Sequence, residues 1–123
     1  MQRNDTAKSA KEIVIEYFET CDRKDFKSAR TYVSDNVSYM SPIGSFDKAE
    51  PYFKYFEHVD LPKMDIKKVF VDGNDVCVLH ELNFGMLPAP MLVCTWCHVD
   101  GGKISSITVV FDPRPWVQEQ RSS

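Results

Sequence analysis

Val71-Asp72-Gly73-Asn74-Asp75-Val76-Cys77-Val78-Leu79-His80-Glu81 decides the fold. Asp72-Gly73-Asn74 is a tight-turn signal, and the residues behind it alternate with the period of two that belongs to a strand. A hairpin is therefore predicted, and its texture continues in both directions. Strands are expected near 64–71, 75–85, 91–99 and 103–111. Asp100-Gly101-Gly102 marks a second turn, and Leu87-Pro88-Ala89-Pro90 a wider connection. Pro113 and Pro115 cannot continue a central strand, so the chain should leave the sheet after Asp112. The second half thus reads as a four-strand antiparallel meander.

The first half has a different period. Ala10, Ile13, Val14, Tyr17, Phe18 and Cys21 form one stripe of an amphipathic helix over residues 6–22. Asp5, Thr6 and Ser9 are cap candidates, and Ser9-x-x-Glu12 fits a capping box. A shorter helix is expected from Asp25, with Phe26, Ala29, Tyr32 and Val33 on one side. Residues 36–41 read as a strand stopped by Ser41-Pro42-Ile43-Gly44. Asp47-x-x-Glu50 looks like the start of a third helix to about His58, with Pro51 tolerable in its first turn. Three helices grouped ahead of a sheet predict an α+β fold. A single domain over residues 1–123 is expected, with a core at about 8–112 and a short C-terminal tail.

Composition narrows the partners. The chain has 123 residues, 43% hydrophobic and 27% charged, which suits one folded domain. Its 15 Lys and Arg against 18 Asp and Glu give a net charge of −3 with no basic stripe. Neither nucleic acid nor a membrane surface is an expected partner. No apolar run approaches the roughly 20 residues of a membrane span. Met1-Gln2-Arg3-Asn4-Asp5 is polar, so no signal peptide is expected. A cytoplasmic location follows, with the 4 cysteines as thiols.

This order and spacing of motifs resembles the nuclear transport factor 2-like superfamily, which includes ketosteroid isomerase and SnoaL-type polyketide cyclases. The resemblance spans roughly residues 8–112. It is carried by Ile13-Val14-Ile15-Glu16-Tyr17-Phe18 with Asp25-Phe26, by Val37-Ser38-Tyr39-Met40-Ser41-Pro42-Ile43-Gly44, and by Asp100-Gly101-Gly102-Lys103-Ile104 leading into Val109-Val110-Phe111. It implies three helices packed on a curved, mainly antiparallel sheet, a cystatin-like α+β barrel with a cone-shaped pocket. It also implies a homodimer through the outer sheet face. Function varies widely across such a fold. Ketosteroid isomerase uses an Asp base with a Tyr and a protonated Asp around the oxyanion. The resemblance puts its tyrosine on Tyr17, its base on Ser41 and its second donor near Thr95. Ser41 cannot take up a proton at neutral pH, so steroid isomerisation is not expected.

The register implied by the resemblance sends Cys77, Leu79, Glu81 and Asn83 inward, and Val76, Val78, His80, Leu82 and Phe84 outward. Met91, Val93, Thr95, Cys97 and Val99 should face in. Leu92, Cys94, Trp96 and His98 should face out, with His98 beside His80. Ile107, Val109 and Phe111 should line the pocket from the last strand, joined by Tyr39 and by Tyr17 and Tyr55 from helices. Glu81 is then the one inward carboxylate and the candidate acid/base, with Tyr17 and Tyr39 as hydrogen-bond donors. A structural pair between Glu81 and a tyrosine is the competing reading. Ser41, Tyr55, Asn83, Thr95, Val109, Phe111 and Asp112 are candidate ligand contacts. Asp112-Pro113-Arg114-Pro115-Trp116 reads either as a lid at the pocket mouth or as a simple turn. A one-residue slip would exchange Glu81 for His80.

Cys94-Thr95-Trp96-Cys97-His98 matches the c-type haem attachment string, and C-x-x-C also suggests redox chemistry or half a zinc site. Here it lies in a strand pattern, where a spacing of three sends Cys94 and Cys97 to opposite faces. Neither metal nor cofactor is expected. His58, His80 and His98 have no metal spacing, and Tyr52-Phe53-Lys54-Tyr55-Phe56 reads as core at helical spacing. The leading expectation is a pocket for a small hydrophobic molecule, with cofactor-independent isomerase, cyclase or hydratase chemistry. A non-catalytic binding or dimerisation module is the alternative, and a haem or redox protein a remote one.

Overall fold

The structure, a computed structural model, describes residues 8–115. Helix α1 (Ala10–Asp22) is followed by α2 (Phe26–Arg30), β1 (Val33–Ser41), β2 (Gly44–Phe46), α3 (Ala49–Glu57), β3 (Met64–Asp72), β4 (Asp75–Leu82), β5 (Met91–Asp100) and β6 (Lys103–Phe111). The expected α+β order is present. Ser9 caps α1 through a complete capping box with Glu12. Residues 6 and 7 of the expected first helix lie outside the described residues. The third helix starts at Ala49 behind Lys48, which makes no side-chain cap hydrogen bond, so the Asp47-x-x-Glu50 cap is not formed.

The sheet runs β2-β1-β6-β5-β4-β3, curved and unclosed. Strands β3 to β6 form the antiparallel meander. Gly101 and Gly102 both adopt positive φ, 62° and 80°. A two-residue type I′ hairpin requires that at both central positions. Two features were not read from the sequence. β1 starts at Val33 and pairs in parallel with β6, and the turn at Pro42-Ile43 returns as β2 instead of ending the strand. β4 stops at Leu82, short of the expected 85, where Asn83 Oδ1 accepts from Gly85 N at 3.1 Å in a local turn.

The helices cover the concave face. Val14, Ala29, Val33, Val37, Val76, Val78, Cys97 and Ile104 are fully buried there. Leu82, Leu87, Met91 and Val93 form a smaller cluster with Phe84, Val109 and Phe111 packed against it. Among the described residues no helix is long and apolar enough to cross a membrane.

One register expectation is corrected. Along β4, Val76, Val78, His80 and Leu82 are buried, whereas Cys77, Leu79 and Glu81 are only half-buried. Cross-strand partners share a face, and Val78 pairs with Thr95 and His80 with Val93. Thr95 and Val93 do face the helices, as expected, so Val78 and His80 must do so too. The apolar set therefore packs against the helices, where burial is most favourable. Glu81 goes to the outer face, 3.9 Å from Lys67. His98 is also on the outer face and bonds Asp75, not His80.

Candidate functional site

A cavity of about 490 Å³ lies between the helices and the concave face of the sheet. That volume falls within the range typical of small-molecule sites. The helical wall contributes Tyr17, Phe18 and Cys21 from α1, with Tyr52, Tyr55 and Phe56 from α3. Sheet residues include Tyr39, His80, Val93, Thr95, Ile107 and Phe111. Ile43, Tyr55 and Met86 are the strongly exposed apolar members and mark the mouth. The helical stripe that predicted α1 puts Tyr17, Phe18 and Cys21 on this side. Tyr52 and Phe56 follow from the same spacing in α3.

Aromatic rings hold the helical wall. Tyr52 stacks on Tyr39 (centroids 4.6 Å apart, 27° between planes) and on Phe56 (5.5 Å, 16°). Phe18 meets His80 edge-on at 5.2 Å. These offset and edge contacts are the favourable arrangements of aromatic quadrupoles.

Two polar pairs interrupt this apolar surface. Tyr17 and Tyr52 hydroxyls lie 2.6 Å apart. One O–H donates to the other oxygen, so the accepting hydroxyl keeps a proton of its own to give. Burial holds both phenols neutral, well above the usual tyrosine pKa. The second pair is His80 Nε2 with Thr95 Oγ1 at 3.0 Å. His80 is 3% exposed, and burial lowers its pKa to about 4, so the ring is neutral at pH 7. Within the described residues its Nδ1 has no hydrogen-bond partner. Burial also pushes the Cys21 thiol up to about 12, which keeps it an unreactive neutral thiol.

Of the candidates read from the sequence, Tyr17, Tyr39, Ser41, Tyr55, Thr95, Val109 and Phe111 come together around this cavity. Glu81, Asn83 and Asp112 do not. Glu81 is on the outer face, and Asn83 is taken up by its turn. Asp112 and Arg114 pair with each other (Oδ2 to Nη2 2.7 Å), which lowers the Asp112 carboxyl to about 2. The lid's Trp116 lies outside the described residues. His80, Tyr52, Phe18 and Cys21 were not selected as site residues. The run Val76, Val78, Leu82 carried the signal for His80, because the apolar alternation of β4 names its buried face directly.

In the C-x-x-C-H string, Cys97 is buried while Cys94 sits half-buried on the other face, the division expected of a strand. Among the described residues no group of three or more His, Cys, Asp or Glu is placed to hold a metal.

The sequence model of the SnoaL-like domain matches residues 14–107, and the chain belongs to that family. Its fold is nuclear transport factor 2-like. A solved NTF2-like protein of unknown function from Cytophaga hutchinsonii is 26% identical, with a TM-score of 0.83 over 91% of this chain and 97% of its own. A putative ketosteroid isomerase from Kribbella flavida is 15% identical, with a TM-score of 0.76 over 84% of this chain and 77% of its own. An LEH-like epoxide hydrolase from M. tuberculosis is 19% identical, with a TM-score of 0.72 over 93% and 96%. At 15% and 19% identity the last two show similarity of fold alone. No curated protein matches the chain.

Proposed function

We propose that the protein encloses a small, mostly apolar molecule in this cavity and acts on it by acid/base chemistry that needs no cofactor. The reaction would be of the isomerase, cyclase or hydratase kind. The observation that supports this reading is a buried titratable side chain, His80, among the residues that line an aromatic cavity. Perturbed titratable groups in clefts are enriched at functional sites. His80 takes the acid/base position that the sequence had suggested for Glu81. Tyr17, paired with Tyr52, and Tyr39 supply hydrogen bonds to the bound molecule. Native mass spectrometry of freshly purified protein should detect a bound small molecule. Turnover of that molecule should fall by about 10²-fold or more in His80→Gln, the usual loss on removing a general acid or base. The amide still hydrogen-bonds but transfers no proton. Turnover within threefold of the parent would overturn the acid/base assignment and leave a binding module.

We also propose that the outer sheet face meets a second copy of this chain. Phe70, Leu92, Trp96 and Val110 are 56%, 55%, 47% and 59% exposed. Register places them all on the convex side, where Phe70 pairs with Cys77, Cys77 with Trp96 and Cys94 with Val110. Apolar side chains gathered on one sheet face usually mark an interface. Sedimentation should find a dimer, and Leu92→Asp should convert it to a folded monomer. A monomeric parent protein would refute the interface.

A further inference from the structure

Helix α1 ends in a Schellman motif, in which Lys24 N donates to Cys21 O at 3.0 Å and Asp25 N to Thr20 O at 2.9 Å. The motif requires a left-handed residue at position 24, and glycine is the usual choice. Lys24 takes the position instead, at φ 62°, and is the one non-glycine residue with positive φ among the described residues. That placement costs stability, and what it adds over glycine is a side chain. Its Nζ donates to the Leu61 carbonyl at 2.6 Å. Nearby on the same turn, Asp22 Oδ1 accepts from Met64 N at 3.0 Å. The end of α1 thus grips the link between α3 and β3 at two points.

That link, residues 59–63, has little else to hold it. Among the described residues its backbone bonds run back to α3 or within itself: Val59 N to Phe56 O at 3.3 Å and Leu61 N to Val59 O at 3.1 Å. Pro62 has no N–H to give. Segments with so few backbone bonds open at low cost. Val59, Asp60 and Leu61 line the cavity, and Tyr55 at its mouth lies about one helical turn before Val59. Behind them is a second space of about 10 Å³, too small for more than one water. It shares Val59, Leu61 and Met64 with the cavity and reaches Asp22 and Lys24. The side chains of Val59 and Leu61 therefore stand between the cavity and the two polar contacts.

We propose that residues 59–63 form a gate beside the cavity mouth, that Lys24 and Asp22 are its latch, and that release of the latch lets a ligand pass. The gate rests on the cavity being a small-molecule site. The latch grips backbone at Leu61 and Met64, so it holds the gate in the same way with the cavity filled or empty. Its loss lowers the barrier to entry and exit alike and leaves affinity unchanged.

Stopped-flow fluorescence with N-phenyl-1-naphthylamine, a neutral dye that brightens in apolar sites, measures association and dissociation rates. The parent is compared with Lys24→Gly and Lys24→Met. Glycine suits the left-handed backbone, so Lys24→Gly should keep or raise the Tm. Both rates should nonetheless rise at least about threefold in both variants, the scale of one net hydrogen bond, with Kd within about twofold of the parent. Hydrogen exchange should speed up at the amides of Leu61, Lys63 and Met64 and stay unchanged in β4 and β5. A merely structural lysine would move the Tm and leave the rates alone. A smaller rise in either rate, a larger change in Kd, or faster exchange spread through β4 and β5 would each overturn the gate. Dye bound at unchanged rates overturns the gate and leaves the small-molecule site standing. Dye that enters neither the parent nor the variants overturns both.

Discussion

Val78→Asp is expected to leave no cooperatively folded protein at pH 7, while Leu92→Asp keeps its far-ultraviolet circular dichroism and a cooperative melt. Both changes put a carboxylate on the central sheet. Val78 is 0% exposed on β4 and faces α1 across the packed core, whereas Leu92 is 55% exposed on β5. A carboxylate at position 78 would lie among apolar neighbours with no cation to pair with. Losses of about 4 kcal/mol or more come from such buried, unpaired charges. That is most of the roughly 5–15 kcal/mol that holds an ordinary domain together. At position 92 the carboxylate remains in water, and the change should cost the fold about 1 kcal/mol or less, the span of strand propensities. The pair of variants thus reads the β4 facing directly. A well-folded Val78→Asp protein would put Val78 outside and Glu81 inside, and would reverse the site assignment.

Acidification should weaken the protein through one side chain in particular. Burial lowers His80 from 6.5 to about 4, so the folded state resists the proton that the unfolded chain accepts. Between those two values the unfolded state binds more protons. Stability therefore rises with pH across that window and is lost as pH falls through it. The difference of 2.5 units (6.5 − 4) corresponds to a maximum of about 3 kcal/mol at 1.36 kcal/mol per unit. Most of it should be gone by pH 4. Urea unfolding at pH 7 and pH 4 measures the change, and the same pair of measurements on His80→Gln isolates it. Asp75, Asp112 and Glu16 have lowered carboxyl pKa values through hydrogen-bonded partners and titrate in both proteins. An identical loss in the two proteins would mean that His80 titrates freely, as a solvated ring would.

The strong local signals explain how much could be read in advance. The i, i+3, i+4 stripe from Ala10 to Cys21 and the Ser9–Glu12 box define α1 within a few residues. The two glycine turns define four strands, because positive φ is cheap only at glycine. Alternation sorted Thr95, Val109 and Phe111 onto one face of their strands, and the family resemblance implied that this face is the inner one. β2 was missed because Gly44-Ser45-Phe46 has no periodicity of its own. It exists by pairing with Tyr39, Met40 and Ser41. The parallel contact between β1 and β6 joins residues some 70 positions apart, such as Val33 and Ile104, and no local pattern encodes it.

The amino-acid sequence alone determined the type and order of every element except β2, together with the family, because each depends on short-range periodicity, caps and turns. It also determined that the inner surface would be aromatic and nearly uncharged. Which of two adjacent residues, His80 or Glu81, enters the cavity was decided by the tertiary structure. A strand alternates faces with a period of two, so a single-residue shift in assumed register exchanges every side chain. Pairing of Val78 with Thr95 and the demand of α1 for an apolar partner settle that choice, and both are long-range contacts. The hydroxyl pair of Tyr17 and Tyr52 joins residues 35 positions apart, and the imidazole–threonine pair joins neighbouring strands. Such polar contacts form where packing brings elements together, and that is why the chemistry of the site emerges only in the folded chain.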